Sequence, residues 1–325
     1  MAFSAGYYPR GGFMVQVLLL LAGALGVPQA RAAGVVSPCT DASLNAALVG
    51  GGAVTFACSG TITLTGTKII SLNTTIDATG QSVTISGNNT VQMFFVNAGI
   101  SATFTNFTFA AGRSSTEGGA IANDGELAIT NSTFIGNLAQ ATFGSGRGGA
   151  IYNVGTVTIA NSTFSGNSAA GGGGSIASFG TATITNSNFT GNSFGSGLGS
   201  AISQNAGTLT IRNSILLAGR CGGTITDGGY NLSADASCGF TAPGSVQNVT
   251  GEQLALGALG ANGGPTLTFL PRNSSIAVDA IPAGTNGCGT TVATDQRGVV
   301  RPQHGRCDIG AVEIPYRVPP RLISE

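Results

Sequence analysis

Apolar and polar positions alternate with a period of two through the middle of this chain, in short runs that recur. Four segments align over their whole length: GGAIANDGELAITNSTFIGN, GGAIYNVGTVTIANSTFSGN, GGSIASFGTATITNSNFTGN and GSAISQNAGTLTIRNSILLAG. In each, an apolar step ending at Ile121, Ile151, Ile176 or Ile202 is followed by a glycine turn, an alternating run (T-x-T-I in the last three) and N-S-x-F, which becomes N-S-I-L in the fourth. Alternation over a few residues with β-branched side chains predicts strands. The repeat of roughly 25 to 30 residues falls in the range of solenoids and arrays. A strand-only unit this short buries its apolar side only by stacking on its neighbours. The pattern therefore predicts an all-β chain whose centre coils into a parallel β-helix, a solenoid with one rung per repeat.

Stacking turns like positions into columns. One column runs Phe104, Ile129, Ile159, Ile184, Ile211; two residues on comes Asn106, Asn131, Asn161, Asn186, Asn213; three further on sits Phe109, Phe134, Phe164, Phe189, Leu216. Parallel strands lie about 4.8 Å apart, so the phenylalanine rings are expected to stack and the isoleucines to fill the bore. The asparagines suit left-handed corners and are expected to form an amide ladder along the axis. The glycine-rich stretches 144–149, 171–174 and 195–199 read as variable, mobile loops between repeats.

The ends depart from this pattern. Residues 1–32 read as a secretory signal peptide: Arg10 in the n-region, an apolar core from Val15 to Val27, and Ala30-Arg31-Ala32 before the cleavage point. That core is shorter than the roughly 20 residues a membrane anchor needs, so no transmembrane segment is expected in the mature chain. Residues 33–60 predict an N-terminal cap with a helix near Thr40–Leu48 stopped by Gly50–Gly52. Rungs follow over 61–240, an irregular C-terminal cap over 241–314, and a tail over 315–325. Six cysteines fall as three sequence-near pairs, Cys39 with Cys58, Cys221 with Cys238 and Cys288 with Cys307. Six cysteines allow fifteen connectivities; nearest-neighbour pairing gives each segment one staple. Such loops contribute on the order of 3 kcal/mol each. Export favours disulfides over metal ligation.

Three resemblances follow from these residues. The GGAI and N-S-x-F-x-x-N repeats resemble those of polymorphic outer-membrane proteins and the wider right-handed β-helix group. The opening, with a Cys-led helix before G-T-I-T-L, resembles bacterial extracellular β-helix proteins, with Ile76-Asp77-Ala78 in place of I-D-G. From Gly263 to Glu313 the chain resembles the choice-of-anchor Q proteins, in which G-G-P-T-x-T, S-x-A-x-D-A, D-Q-R-G, R-P and C-D-I-G-A-x-E recur in this order. The resemblance implies a pectin-lyase-like fold in a secreted or cell-surface protein. Members of that group often carry a C-terminal anchoring segment; because IPYRVPPRLISE carries no apolar span or sorting motif, a freely secreted or non-covalently attached form is expected, or else a truncated one.

Charge narrows the chemistry. Between Gly118 and Thr210 only Asp124, Glu126 and Arg147 are charged, net charge is zero and Lys68 is the one lysine. With no basic stripe to neutralise phosphates, nucleic acid is not an expected partner. A lyase needs clustered carboxylates and a base, and a hydrolase a flanking carboxylate pair. The rungs offer only Asp124 and Glu126, and Asp124 sits in an N-D-G turn that favours Asp for backbone reasons. The tail holds Asp279, Asp295, Arg297, Arg301, His304, Asp308 and Glu313, read as polar ties of a structural cap, with an acid-base or anion site as the competing reading. Threonine runs at 61–63, 156–158, 181–183 and 208–210 suit an outer strand face; the same arrays bind ice in some solenoids. The sequons at Asn131 and Asn161 fall in the asparagine column, where rung architecture accounts for them. The expectation is a non-catalytic surface protein for adhesion, surface structure or glycan binding, with no cofactor or metal; the alternative is a polysaccharide lyase or glycoside hydrolase. The sequence specifies no oligomeric state.

Overall fold

The computed structural model describes residues 34–141, 146–195, 202–217 and 220–315; the expected signal peptide, and residues 316–325 of the tail, lie outside them. The chain is an all-β parallel solenoid. One turn runs through strands Ile121–Asn123, Glu126–Thr130, Thr133–Ile135 and Leu138–Ala139 before returning at Ile151–Asn153. Each strand joins a different parallel sheet, of seven, nine, eight and four strands respectively. Register is fixed residue by residue: Ile129 pairs with Phe104 and Ile159, and Ile184 with Ile159 and Ile211.

Apolar side chains fill the interior. Phe109, Phe134, Phe164 and Phe189 are fully buried, with centroids 4.6, 4.7 and 4.7 Å apart and planes within 18° of parallel. The ring spacing thus follows the strand spacing, because each ring rides on its own rung.

Corner asparagines Asn106, Asn131, Asn161, Asn186 and Asn213 all have positive φ, between 47° and 66°. Their side chains do not form the expected ladder. Only Asn213 donates to a column neighbour, Asn186, at 3.1 Å. Asn106 turns to Thr79 and Asn161 to the carbonyl of Thr294. The physical reason is direction: a corner side chain points off the rung, toward whatever packs outside. The buried ladder instead uses the last asparagine of N-S-x-F-x-x-N. Asn137 donates to Asn167 at 2.8 Å and Asn167 to Asn192 at 2.9 Å, while each also donates to a carbonyl of the preceding rung, Phe109 and Phe134. A second stack runs Asn123 to Asn153 to Ser178. These columns satisfy polar groups that the apolar bore would otherwise leave unpaired.

The glycines at 148–149 and 171–174 also depart from expectation. They are packed rung positions rather than mobile loops: a Cβ on Gly149 would lie 2.1 Å from the carbonyl oxygen of Gly174. Successive backbones approach there too closely for any side chain. Residues 144–145 and 196–199 of the expected loops lie outside the described residues.

At the N-terminal end, helix Asp41–Leu48 buries Leu44 and Ala47, and Thr40 caps it by accepting from the amide of Ser43. Burial alone would raise the Asp41 carboxyl, but Lys68 and Thr65 donate to it and hold it below its ordinary range. Disulfide Cys39–Cys58 ties this helix to the first rungs, Cys221–Cys238 follows the last full rung, and Cys288–Cys307 lies in the tail.

The tail does more than close the end. It doubles back along the outer face of the eight-stranded sheet. Thr133 donates to the carbonyl of Leu267, Thr163 to Gln296, and the amide of Ala311 donates to Asn188. Gly310 sits so close that a Cβ would lie 2.3 Å from the Asn188 Oδ1. A second apolar cluster, distinct from the one inside the bore, packs Leu254, Ala277, Ile281 and Ile309 of this clasp onto Ile215 and Leu232 of the last rungs.

Candidate functional site

The described surface offers three places where chemistry-bearing side chains gather, and they differ in kind.

The first is the polar lock inside the clasp. Asp295, Arg301, Asp308 and Glu313 are buried, and the Arg297 side chain is 6% exposed. Arg297 pairs with Asp295 at 2.8 Å and Arg301 with Glu313 at 2.9 Å. Arg301 also donates to the carbonyls of Asp308 and Gly310. Asp308 accepts from the amides of Asp279 and Ile314, and Glu313 from those of Gln303 and Asp308. Burial pushes the Glu313 carboxyl up to about 7, against the opposing pull of Arg301, and raises Asp308 as well. Burial also lowers the Arg301 guanidinium from its ordinary value. Nearly every donor and acceptor is spent on holding irregular backbone, so the lock positions chain rather than substrate. The G-G-P-T, D-Q-R-G and C-D-I-G-A-x-E segments meet here: Gln296 donates to Thr266, and Arg297 packs on Gly264.

The second is a cleft of about 970 Å³ on the clasp's outer side. Leu270, Val278, Ile314 and Pro315 give it apolar walls; Arg272, Asp279 and His304 are among its polar residues. Asp279 belongs to the cluster expected to tie the cap, yet its carboxylate is 41% exposed and lies 3.8 Å from the His304 ring. Only its backbone joins the lock.

The third is on the rungs. Asp124 and Glu126 do not form a shared site. Asp124 lies in the corner after Ile121–Asn123, whereas Glu126 opens the next strand, exposed, opposite Ser101 and Thr156. Gly125 turns the chain between them, so alternation along one strand does not apply. Asp124 instead joins a cluster that sequence reasoning missed. Tyr152 and Phe179 are half-exposed on successive rungs with centroids 5.4 Å apart. Arg147 lies over the Phe179 ring at 5.3 Å. Partial burial and the neighbouring Glu117 carboxylate, which is hydrogen-bonded to it, push the Tyr152 hydroxyl up, and Asp124 acts in the same sense. Outward position 152 lies between Ala122 and Ala177, and these small residues leave the ring standing proud of the seven-stranded sheet. The signal was present in the sequence: aromatic residues at outward positions, beside the few charges of an otherwise uncharged stretch.

Among the described residues no group of three or more His, Cys, Asp or Glu side chains is arranged to hold a metal ion, and no helix is long and apolar enough to cross a membrane. On the nine-stranded face, threonines 156, 181 and 208 and threonines 158, 183 and 210 stand in register, with Glu126 and Ala128 on the adjoining rung. Thr61 and Thr63 belong to the eight-stranded sheet and are not part of that array. No family model, curated protein or solved structure matches the chain.

Proposed function

We propose that this is a secreted or cell-surface β-solenoid of the choice-of-anchor Q type that binds glycans without cleaving them. The shelf at Tyr152 and Phe179 carries this reading. Sugar rings present apolar faces and polar edges, and an aromatic pair edged by Glu117, Asp124 and Arg147 offers the counterpart of both. Three disulfides fit an oxidising compartment. Register partners of Glu126 are Ser101 and Thr156, so the catalytic pair that scission requires has no support on adjacent rungs.

The test is a glycan array followed by exposure of bound polymers to the protein. Saturable binding that falls at least about tenfold in Tyr152→Ala and Phe179→Ala supports the reading, since an aromatic contact is worth about 1 kcal/mol or more beyond its area. Chain scission that disappears in Asp124→Asn or Glu126→Gln would establish the enzyme instead.

A further inference from the structure

The clasp's outer cleft is separate from the rung shelf, and three of its features point to a ligand. It is large, at about 970 Å³, with an apolar wall of Leu270, Val278, Ile314 and Pro315. Among its polar residues Asn262 and Arg297 are engaged by the fold, while Arg272 is left over. Arg272 is exposed and makes no side-chain hydrogen bond or ion pair among the described residues. Asp279 and His304 present side chains that are 41% and 45% exposed, while Arg297 below them is fully engaged with Asp295 and backbone carbonyls. Finally, Asp279 and His304 both hold left-handed backbone, with φ of 51° and 52°. Besides these two and the corner asparagines, seven other non-glycine residues among the described ones share it, four of them asparagines; the conformation costs of order 1 kcal/mol or more for a residue other than glycine.

Both turns are held from behind by the lock. The Asp279 amide donates to Asp308 at 2.7 Å, and the Gln303 amide, next to His304, donates to Glu313 at 2.9 Å. Arg306 adds hydrogen bonds to the carbonyls of Asp279 and Ala280. The lock therefore fixes two strained turns so that an acid and an imidazole face one cavity, which is how a rigid scaffold pre-organises a binding set.

The mixture of groups selects the ligand's chemistry. A purely apolar ligand would strip water from Asp279 and His304 without replacing it. A phosphate, with about two negative charges near neutrality, would meet the Asp279 carboxylate with roughly twice the repulsion that a single carboxylate does. A ring with several hydroxyls uses both donors and acceptors while resting an apolar face on Val278 and Leu270. Arg272, a cation with no side-chain partner among the described residues, calls for one carboxylate in addition. We infer that this cleft binds a carboxylate-bearing sugar, with the carboxylate on Arg272 and hydroxyls on Asp279 and His304.

Calorimetric titration of the disulfide-intact protein with glucuronate, glucose and a glucuronate-terminated oligosaccharide tests this. Glucuronate or the oligosaccharide should bind at least about tenfold more tightly than glucose, the equivalent of one charge-assisted hydrogen bond. Arg272→Gln should erase that preference, and Asp279→Asn, which keeps the turn because asparagine accepts positive φ, should weaken acidic and neutral sugars alike. Binding of the monomer assigns the site to a free sugar acid; binding of the oligosaccharide alone assigns it to a chain end. Equal affinity for glucose and glucuronate, or no saturable heat from any of the three, would overturn the inference. Array binding that depends on Tyr152 reports on the shelf and Arg272→Gln on the cleft, so the two readings fail separately.

Discussion

The rungs and the clasp solve the same problem with opposite materials. Each must fix an irregularly wound backbone in one register. The rungs do it by repetition: identical rings at 4.7 Å and aligned isoleucines make each turn the template for the next. The clasp has no copy of itself to stack on and little apolar content, so it spends buried ion pairs on the task. Repetition tolerates single losses because neighbouring turns remain. A lock of mutually dependent charges does not, since removing one partner strands the other.

Substitutions sharpen that contrast. Arg301→Ala should cost about 3–5 kcal/mol of clasp stability in urea denaturation, because Glu313 would be left buried and unpaired. A loss under 1 kcal/mol would mean the lock is ornamental. Phe164→Ala should also cost about 3 kcal/mol or more through the cavity it leaves, with the damage confined to adjoining rungs. Opening Cys288–Cys307 by paired serine substitution should lower stability by about 3 kcal/mol, given a sequence separation of 19 residues. Asn167→Leu should cost about 1–3 kcal/mol, because the backbone and side-chain amides of Asn137 lose the oxygen they donate to and the Phe134 carbonyl loses a side-chain donor.

The smallest effect is set by pH. Glu313 has its folded pKa raised to about 7 from an ordinary 4.5, so the folded clasp holds that proton more tightly than the unfolded chain. Its contribution is full below 4.5 and lost as pH climbs through 7. Asp41 and Asp227, both lowered, act with the opposite sign but only in more acidic solution. Clasp stability should therefore decline between pH 4.5 and 7, and Glu313→Gln should flatten that slope; an unchanged slope would assign it to another group.

The same contrast explains what could be read from the chain. The phenylalanine and isoleucine columns were legible because repetition prints the packing directly into the sequence. The corner asparagines were legible as left-handed residues, but their partners were not, since a side chain leaving the rung meets the tail, which has no repeat to align against. Asn137, Asn167 and Asn192 stood in the same motif, and the interior ladder they build could have been found by asking where a polar residue flanked by buried phenylalanines must satisfy its amide. The clasp was recognisable as a polar tie but not as a strap along the rungs, because contacts such as Thr163 to Gln296 join residues 133 apart. The shelf was overlooked because the outward positions carry no repeat: the column of Tyr152 runs Phe95, Ala122, Tyr152, Ala177, Ser203.

Native-state hydrogen exchange on the Arg301→Ala protein compares the two regions most directly. If repetition holds the rungs by itself, amides of Phe164, Asn167 and Ile184 should stay protected while those of Gln296, Ile309 and Glu313 exchange freely. Loss of protection at both sets together, at one rate, would show that the strap and the stack form a single unit and contradict the account.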